Sequence, residues 1–181
     1  ETGQLFIPSQ TRLRAVELIE YPPPATVGYF TDPWASPVPG PSGLPLVKPP
    51  YKRITAIDLN TGDHSWMQPH GDGPRNHPAI KHLNLPALGG HGGMHGGGPL
   101  VTKTLLMVNS GGRYAANEAA AARTISGYHK DNGEYLGSVT LPAVPSGNPI
   151  TYLYESRQYI VVAVGGGGTA VTPELIALAL P

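Results

Sequence analysis

The sequence predicts an all-β fold assembled from consecutive antiparallel hairpins, on three observations. The 24 glycines and 21 prolines, about a quarter of the 181 residues, fall between short β-branched runs and punctuate them as turns. Apolar residues alternate with polar ones at the period of two that a strand imposes. A strand–turn–strand unit recurs along the chain.

The clearest copy of that unit is Ala56-Ile57-Asp58-Leu59-Asn60-Thr61-Gly62-Asp63-His64-Ser65-Trp66. Ile54, Ala56 and Asp58 fall on one face of its first strand, and Ile57 and Leu59 on the other. Asp58 is placed to accept hydrogen bonds from backbone N–H groups of the turn that follows. Asn60-Thr61-Gly62 supplies that turn, with Gly62 free to take a positive φ. Trp66 ends the unit with a large apolar plate that a single hairpin cannot bury, so the unit implies a neighbouring sheet.

Composition sets the bounds. A chain of 181 residues is long enough for one domain with a core. Formal net charge is zero and 13% of residues are charged, with no basic stripe, which argues against a nucleic-acid partner. No apolar run approaches the length of a membrane helix, and no signal-peptide pattern is present. The opening residues, Glu1 to Ser9, read as the middle of a β structure without an initiating Met, so the chain is expected to begin after processing or to be a fragment. Cysteine is absent, which removes disulfides and thiolate metal sites.

Leu5 to Ser9 is expected as a short strand. Residues 10–50 read as mostly loop. Leu13 to Tyr21 is stopped by Pro22-Pro23-Pro24, and Pro33, Pro37, Pro39, Pro41, Pro45, Pro49 and Pro50 forbid a long helix or a central strand. Tyr29 and Trp34 are read as pinning this loop to the surface, a ligand-side rim being the sharper alternative. Residues 51–68 form the hairpin already described. Residues 69–99 form a second long connection with His70, His77, His82, His91 and His95, ending in a glycine-rich run. Five histidines invite a metal hypothesis. Their spacings match no closed zinc pattern, and the glycines between His91 and His95 prevent a helix from aligning them, so the glycines are read instead as letting backbone approach a ligand or another strand.

Leu100 to Asn109 reads as one strand, and Asn117 to Ala122 as one or two helical turns capped by Asn117. Thr124 to His129 and Tyr135 to Leu141 are strands joined by the turn Asp131-Asn132-Gly133. Pro149 to Tyr154 and Gln158 to Val164 form a hairpin about Glu155-Ser156-Arg157. Gly165 to Gly168 is a flexible link, and Glu174 to Leu180 is the last strand. Gly127 to Gly137 aligns with Ala56 to Trp66 at an offset of 71 residues: Gly133 matches Gly62, Asn132 replaces Thr61, His129 replaces Asp58 and Gly137 stands in the place of Trp66. Strand pairs with repeated turns at such intervals point to a propeller.

The pattern A-x-D-x-x-T-G-x-x-x-W resembles the tryptophan-docking repeat of quinoprotein dehydrogenase β-propellers, in which each Trp packs between adjacent four-stranded blades. Further landmarks resemble the carboxy-terminal part of the pyrroloquinoline quinone (PQQ) dependent dehydrogenases of the glucose and alcohol dehydrogenase type. Thr2 to Ser9 is similar to that family's TG-x-LY-x-PS strand, and Pro49 to Asp58 to its PP-aromatic-G segment running into a docking motif. Leu88-Gly89-Gly90 and Gly97 to Val101 resemble its GG…GGL region, and Asn148 to Tyr152 with Arg157 to Gly166 its P-M-T-Y…G-K-Q-Y-V-V-x-x-G-G closing signature. Glu174 to Pro181 resembles its usual chain end. The departures are Lys52 for the usual Gly, the degenerate second docking motif and the Ala-rich stretch 115–123.

The resemblance implies the last blades of an eight-bladed propeller, with residues 1–50 the end of a preceding blade plus a proline-rich loop, 51–110 a blade with the docking motif and the Gly/His-rich insertion, and 111–181 a degenerate blade and ring-closing strand. It implies a PQQ-dependent oxidoreductase that oxidises a sugar or alcohol hydroxyl, with calcium polarising a quinone oxygen and an Asp as general base. Electrons would pass to a quinone or a cytochrome c. A periplasmic location is implied, with any membrane association through segments outside this sequence. The catalytic Asp and calcium ligands are expected upstream of residue 1, because none of Asp32, Asp58, Asp63, Asp72 or Asp131 sits in a matching motif; no catalytic or metal residue is assigned within the chain. The expected cofactor-side residues are Leu88, Gly89 and Gly90, with the start of a strand as their plain alternative, and Lys48 is read as a solvated loop lysine. The segment is expected to be mainly structural, inactive alone and partnered by the remainder of the propeller polypeptide. Two other classes stay open: a propeller scaffold without catalysis that binds proteins, and a fragment that assembles with itself or other chains to complete a ring.

Overall fold

The computed structural model of the chain describes residues 3–24, 26–31, 38, 40–90, 98–110, 123–166 and 171–179. The first strand, β1 (Gln4–Gln10), is followed by a proline-rich excursion that carries a small ribbon of β2 (Leu18–Glu20) paired with β3 (Tyr29–Thr31). The chain then returns to β1. Strand β4 (Lys52–Asp58) pairs with it along its whole length, Gln4 opposite Asp58 and Gln10 opposite Lys52, and β5 (His64–Pro69) completes a three-stranded sheet. A four-stranded sheet follows in chain order: β6 (Leu100–Val101), β7 (Leu105–Ser110), β8 (Thr124–His129) and β9 (Tyr135–Thr140). The third sheet is β10 (Ile150–Tyr154), β11 (Arg157–Val164) and β12 (Glu174–Ala179). All described pairings are antiparallel, as the all-β expectation requires.

A core lies between each successive pair of sheets. Phe6, Ile54 and Ala56 of the first sheet pack on Leu106, Val108 and Tyr128 of the second, and Trp66 covers that cluster. Ile125 of the second sheet packs with Val162 and Val164 of the third, joined by Leu141, Ala143, Met107, Ile160, Ile176 and Leu178. The second sheet is thus buried on both faces. Leu106 and Val108 point one way along β7 and Met107 between them points the other, the alternation a pleated strand imposes. Ile54, Leu106 and Val162 have no exposed surface, and each such burial is worth about 1.5–3 kcal/mol.

The two copies of the hairpin unit superpose bond for bond. Gly62 N–H donates to Asp58 O at 2.7 Å, and Gly133 N–H to His129 O at 2.9 Å. Both glycines take a positive φ, +81° and +73°. Asp58 Oδ1 accepts from Asn60 N–H at 2.8 Å, the turn cap the sequence predicts, and His129 Nδ1 accepts from Asp131 N–H in its place. Thr61 Oγ1 and Asn132 Oδ1 each accept from the residue two positions on. Even the bulge recurs, between Ala56 and Ile57 and between Gly127 and Tyr128.

Several expectations are revised. The run Leu100–Asn109 is not one strand but the hairpin β6–β7: Thr102 caps its turn by accepting from Leu105 N–H at 3.1 Å, and Thr102 N–H donates to Leu105 O at 2.8 Å. Residues 10–50 are mostly loop, as expected, and carry the ribbon β2–β3 among their described residues. Tyr29 on that ribbon is 62% exposed and does not pin the loop down. Backbone pairing joins β1 to β4 across the proline-rich excursion, and β7 to β8 across residue 110. The expected helical turns at 117–122, together with Asp32, Trp34, His91 and His95, lie outside the described residues.

Candidate functional site

The connection after β5 folds back on itself so that residues 70–72 and 88–90 run side by side. Gly90 N–H donates to His70 O at 2.8 Å, Gly89 N–H to Gly71 O at 3.0 Å and Leu88 N–H to Asp72 O at 3.0 Å. The pair is tied to β4 at both sides, His70 N–H donating to Lys52 O and Tyr51 N–H to Leu88 O. The expected cofactor-side residues therefore lie in a rigid, hydrogen-bonded seam. Gly89 sits at φ +74°, and a Cβ there would run into the Lys52 backbone, so only glycine serves. Leu88 is 6% exposed and packs over Gly73. Gly90 is more open: a Cβ there would meet His70 O and Lys52 Cδ only at ordinary contact distance.

His70, one of the five histidines that invite a metal hypothesis, stands at the root of this seam. Its ring is 5% exposed and uses both nitrogens, Nδ1 with Tyr128 Oη at 2.8 Å and Nε2 with Ser110 Oγ at 3.0 Å. Burial, and secondarily the Lys52 ammonium, lower its pKa to about 4. Burial and the nearby Tyr135 raise that of Tyr128. At neutral pH His70 is uncharged and fully engaged, so it serves to fasten the seam to β7 and β8 rather than to accept a proton or a metal. A signal was present in principle: a His directly after a strand-ending Pro, in a segment otherwise rich in Gly. Its partners lie 40 and 58 residues away, and only the fold brings them together.

The remaining candidates are scattered. Asp58 is spent on its turn, Asp72 pairs with Arg75 at 3.1 Å, and Asp63, Asp131 and Lys48 are exposed. His77 Nδ1 accepts from Ala79 N–H, and His82 is exposed. Among the described residues, no group of three or more His, Cys, Asp or Glu is placed to hold a metal ion. No described helix is long and apolar enough to cross a membrane.

The family model for the β-propeller domain of PQQ glucose/ethanol/alcohol dehydrogenases matches residues 21–160. The chain belongs to this PQQ dehydrogenase family. Quinoprotein glucose dehydrogenase of Escherichia coli (strain K12) is 28% identical over 150 residues, 78% of this chain and 17% of that protein. The glycerol dehydrogenase large subunit of Gluconobacter thailandicus is 31% identical over 144 residues, 77% of this chain and 18% of that protein. Among solved structures, quinohemoprotein alcohol dehydrogenase from Comamonas testosteroni aligns with a TM-score of 0.50 and 19% identity, covering 91% of this chain and 20% of that one, a likeness of fold. The PQQ family chain thus spans less than a fifth of these curated relatives.

Within this family the cofactor is an anionic planar quinone. The described residues fit one edge of such a group: bare backbone at Gly90 with the Lys52 side chain beside it. Leu88, covered by Gly73, does not offer a free face for stacking.

Proposed function

We propose that this chain is a segment of a PQQ-dependent dehydrogenase that oxidises a sugar or alcohol hydroxyl and passes the electrons to a quinone or a cytochrome. The observation that carries the reading is the family match over residues 21–160. In this reading the sheets are the carboxy-terminal blades of an eight-bladed ring in the periplasm, and the general base and calcium ligands belong to other parts of the polypeptide. PQQ, when bound, supplies the hydride acceptor, with calcium polarising it. The role of the chain's own residues is positional. The seam Leu88-Gly89-Gly90, fastened by His70, forms part of the pocket wall, and Lys52 offsets negative charge at its edge.

The test uses the full-length polypeptide. Reconstitution with PQQ and calcium should give dye-linked oxidation of a sugar or polyol, strictly dependent on PQQ. Absence of PQQ binding would leave the non-catalytic scaffold reading in its place. Gly90→Ala probes the site separately, because a Cβ there meets the rest of the fold only at ordinary contact distance whereas it would stand between the bare backbone and the cofactor. It should weaken PQQ binding by at least about tenfold, roughly 1.4 kcal/mol, while leaving the melting of the cofactor-free protein unchanged. Unaltered PQQ affinity would remove the seam from the site without touching the family activity.

A further inference from the structure

The two interfaces between successive sheets are built on one plan and filled differently. In the first, Phe6 and Trp66 flank Ala56 across the strand ladder, and the indole packs against the cluster that holds Leu106 and Tyr128, a cross-strand pair of the next sheet. In the second interface the same places are held by Met107 and Gly137 flanking Gly127, and by the cross-strand pair Ile160 and Leu178 of the third sheet. Gly127 and Gly137 face each other where Ala56 and Trp66 do. Nothing lies within 4 Å of the place a Cβ on Gly137 would take. A cavity of about 490 Å³ opens there, lined by Met107, Ile125, Gly127, Gly137, Ile160 and Leu178 with their neighbours.

We infer that this cavity is a binding site for a small, uncharged, planar aromatic molecule of indole size. The occupant is argued from the first interface, where an indole fills the equivalent space against equivalent apolar residues. The volume lies in the range of small-molecule pockets, and apolar cavities of roughly 150 Å³ already take up benzene. The wall is aliphatic, while the Gln158 side chain, on the same face of β11 as Ile160, offers an amide group to a single N–H or O–H on the ligand. Among the described residues no charged side chain lines it, so an anionic aromatic would be disfavoured.

The experiment titrates indole into the full-length protein labelled with 13C-methyl methionine, the Met107 signal being assigned by loss in Met107→Leu. The expected result is a saturable ring-current shift of the Met107 methyl, half-complete below about 1 mM, with Met67 unmoved. Gly127→Leu, at a position without positive φ, places a side chain in the cavity and should abolish the shift. If Met107 does not respond in the unsubstituted protein, the proposal falls; this includes the case in which an aromatic side chain from elsewhere in the polypeptide already fills the space. A shift that persists unchanged in folded Gly127→Leu also overturns it. The unsubstituted titration stands whether or not the variant folds.

Discussion

The indole N–H of Trp66 donates to the backbone oxygen of Lys130 at 3.0 Å, so a side chain of the first sheet completes a turn of the second. The ring also stands against Phe6, with centroids 5.9 Å apart, and lies over Gly133 of the facing turn. One residue thereby joins apolar burial, a directed hydrogen bond and a steric stop, and these can be separated by substitution.

Trp66→Phe keeps most of the apolar contact and removes the donor. The Lys130 oxygen then loses its indole partner, at a cost of roughly 1–2 kcal/mol. Trp66→Ala removes the ring as well and is expected to cost about 3–5 kcal/mol. Urea midpoints of the two variants should fall in that order. An unchanged midpoint for Trp66→Phe would mean that the hydrogen bond contributes nothing beyond packing.

Gly133 and Gly62 occupy the same turn position in the two copies, and comparing them isolates the docking contact. A Cβ on Gly62 meets nothing within 4 Å, so Gly62→Ala carries only the left-handed backbone penalty of about 1–2 kcal/mol. A Cβ on Gly133 would lie 2.5 Å from Cε3 of Trp66. Gly133→Ala should therefore cost a further 1–3 kcal/mol, roughly, from overpacking. Combining it with Trp66→Ala should return that excess, which a double-mutant cycle measures directly.

These two turns also show how far the sequence could be read. Asp58, Thr61 and Gly62 act on their own neighbours within the turn, so the hairpin and its degenerate copy at Gly127–Gly137 are visible in the order of residues alone. Trp66 announced the need for a partner, though not which turn would meet it. The β6–β7 hairpin was not legible, because Thr102-Lys103-Thr104 carries no Gly, Pro or Asn and sits inside a continuous apolar, β-branched run. The requirement for Gly89 and the engagement of His70 depend on Lys52, Ser110 and Tyr128, all distant along the chain. The seam was singled out by resemblance, and its physical reason emerged only from the fold.

His70 gives the chain a predictable acid response. Its folded pKa of about 4 lies below the ordinary 6.5, so between those values the unfolded chain binds the proton and the folded chain resists it. The contribution is fully present above about pH 6.5 and is lost progressively as the pH falls towards 4, amounting to roughly 3 kcal/mol. Tyr128 titrates too high to enter this window. His70→Gln should flatten the stability profile between pH 6.5 and 4 while lowering stability at pH 7 by about 1–3 kcal/mol, since a glutamine side chain does not span both Tyr128 and Ser110. Denaturation midpoints at half-unit pH steps decide it; an unchanged slope would assign the acid sensitivity to other groups.

The β10–β11 hairpin holds a local backbone strain that substitution should relieve. Tyr154 pairs with Arg157, leaving Glu155 and Ser156 as a two-residue turn in which both residues take positive φ, 48° and 62°. That geometry matches the right-handed twist of the flanking strands, which is why a two-residue loop adopts it, yet it suits Asn and Gly far better than Glu and Ser. Both side chains are exposed, so replacing them removes no buried contact. Glu155→Asn with Ser156→Gly should therefore stabilise the protein by about 1 kcal/mol, the gain from native backbone relief exceeding the added freedom that glycine gives the unfolded chain. The urea midpoint should rise with an unchanged denaturant slope. A fall would mean that the Glu155 or Ser156 side chain makes a stabilising contact elsewhere in the polypeptide.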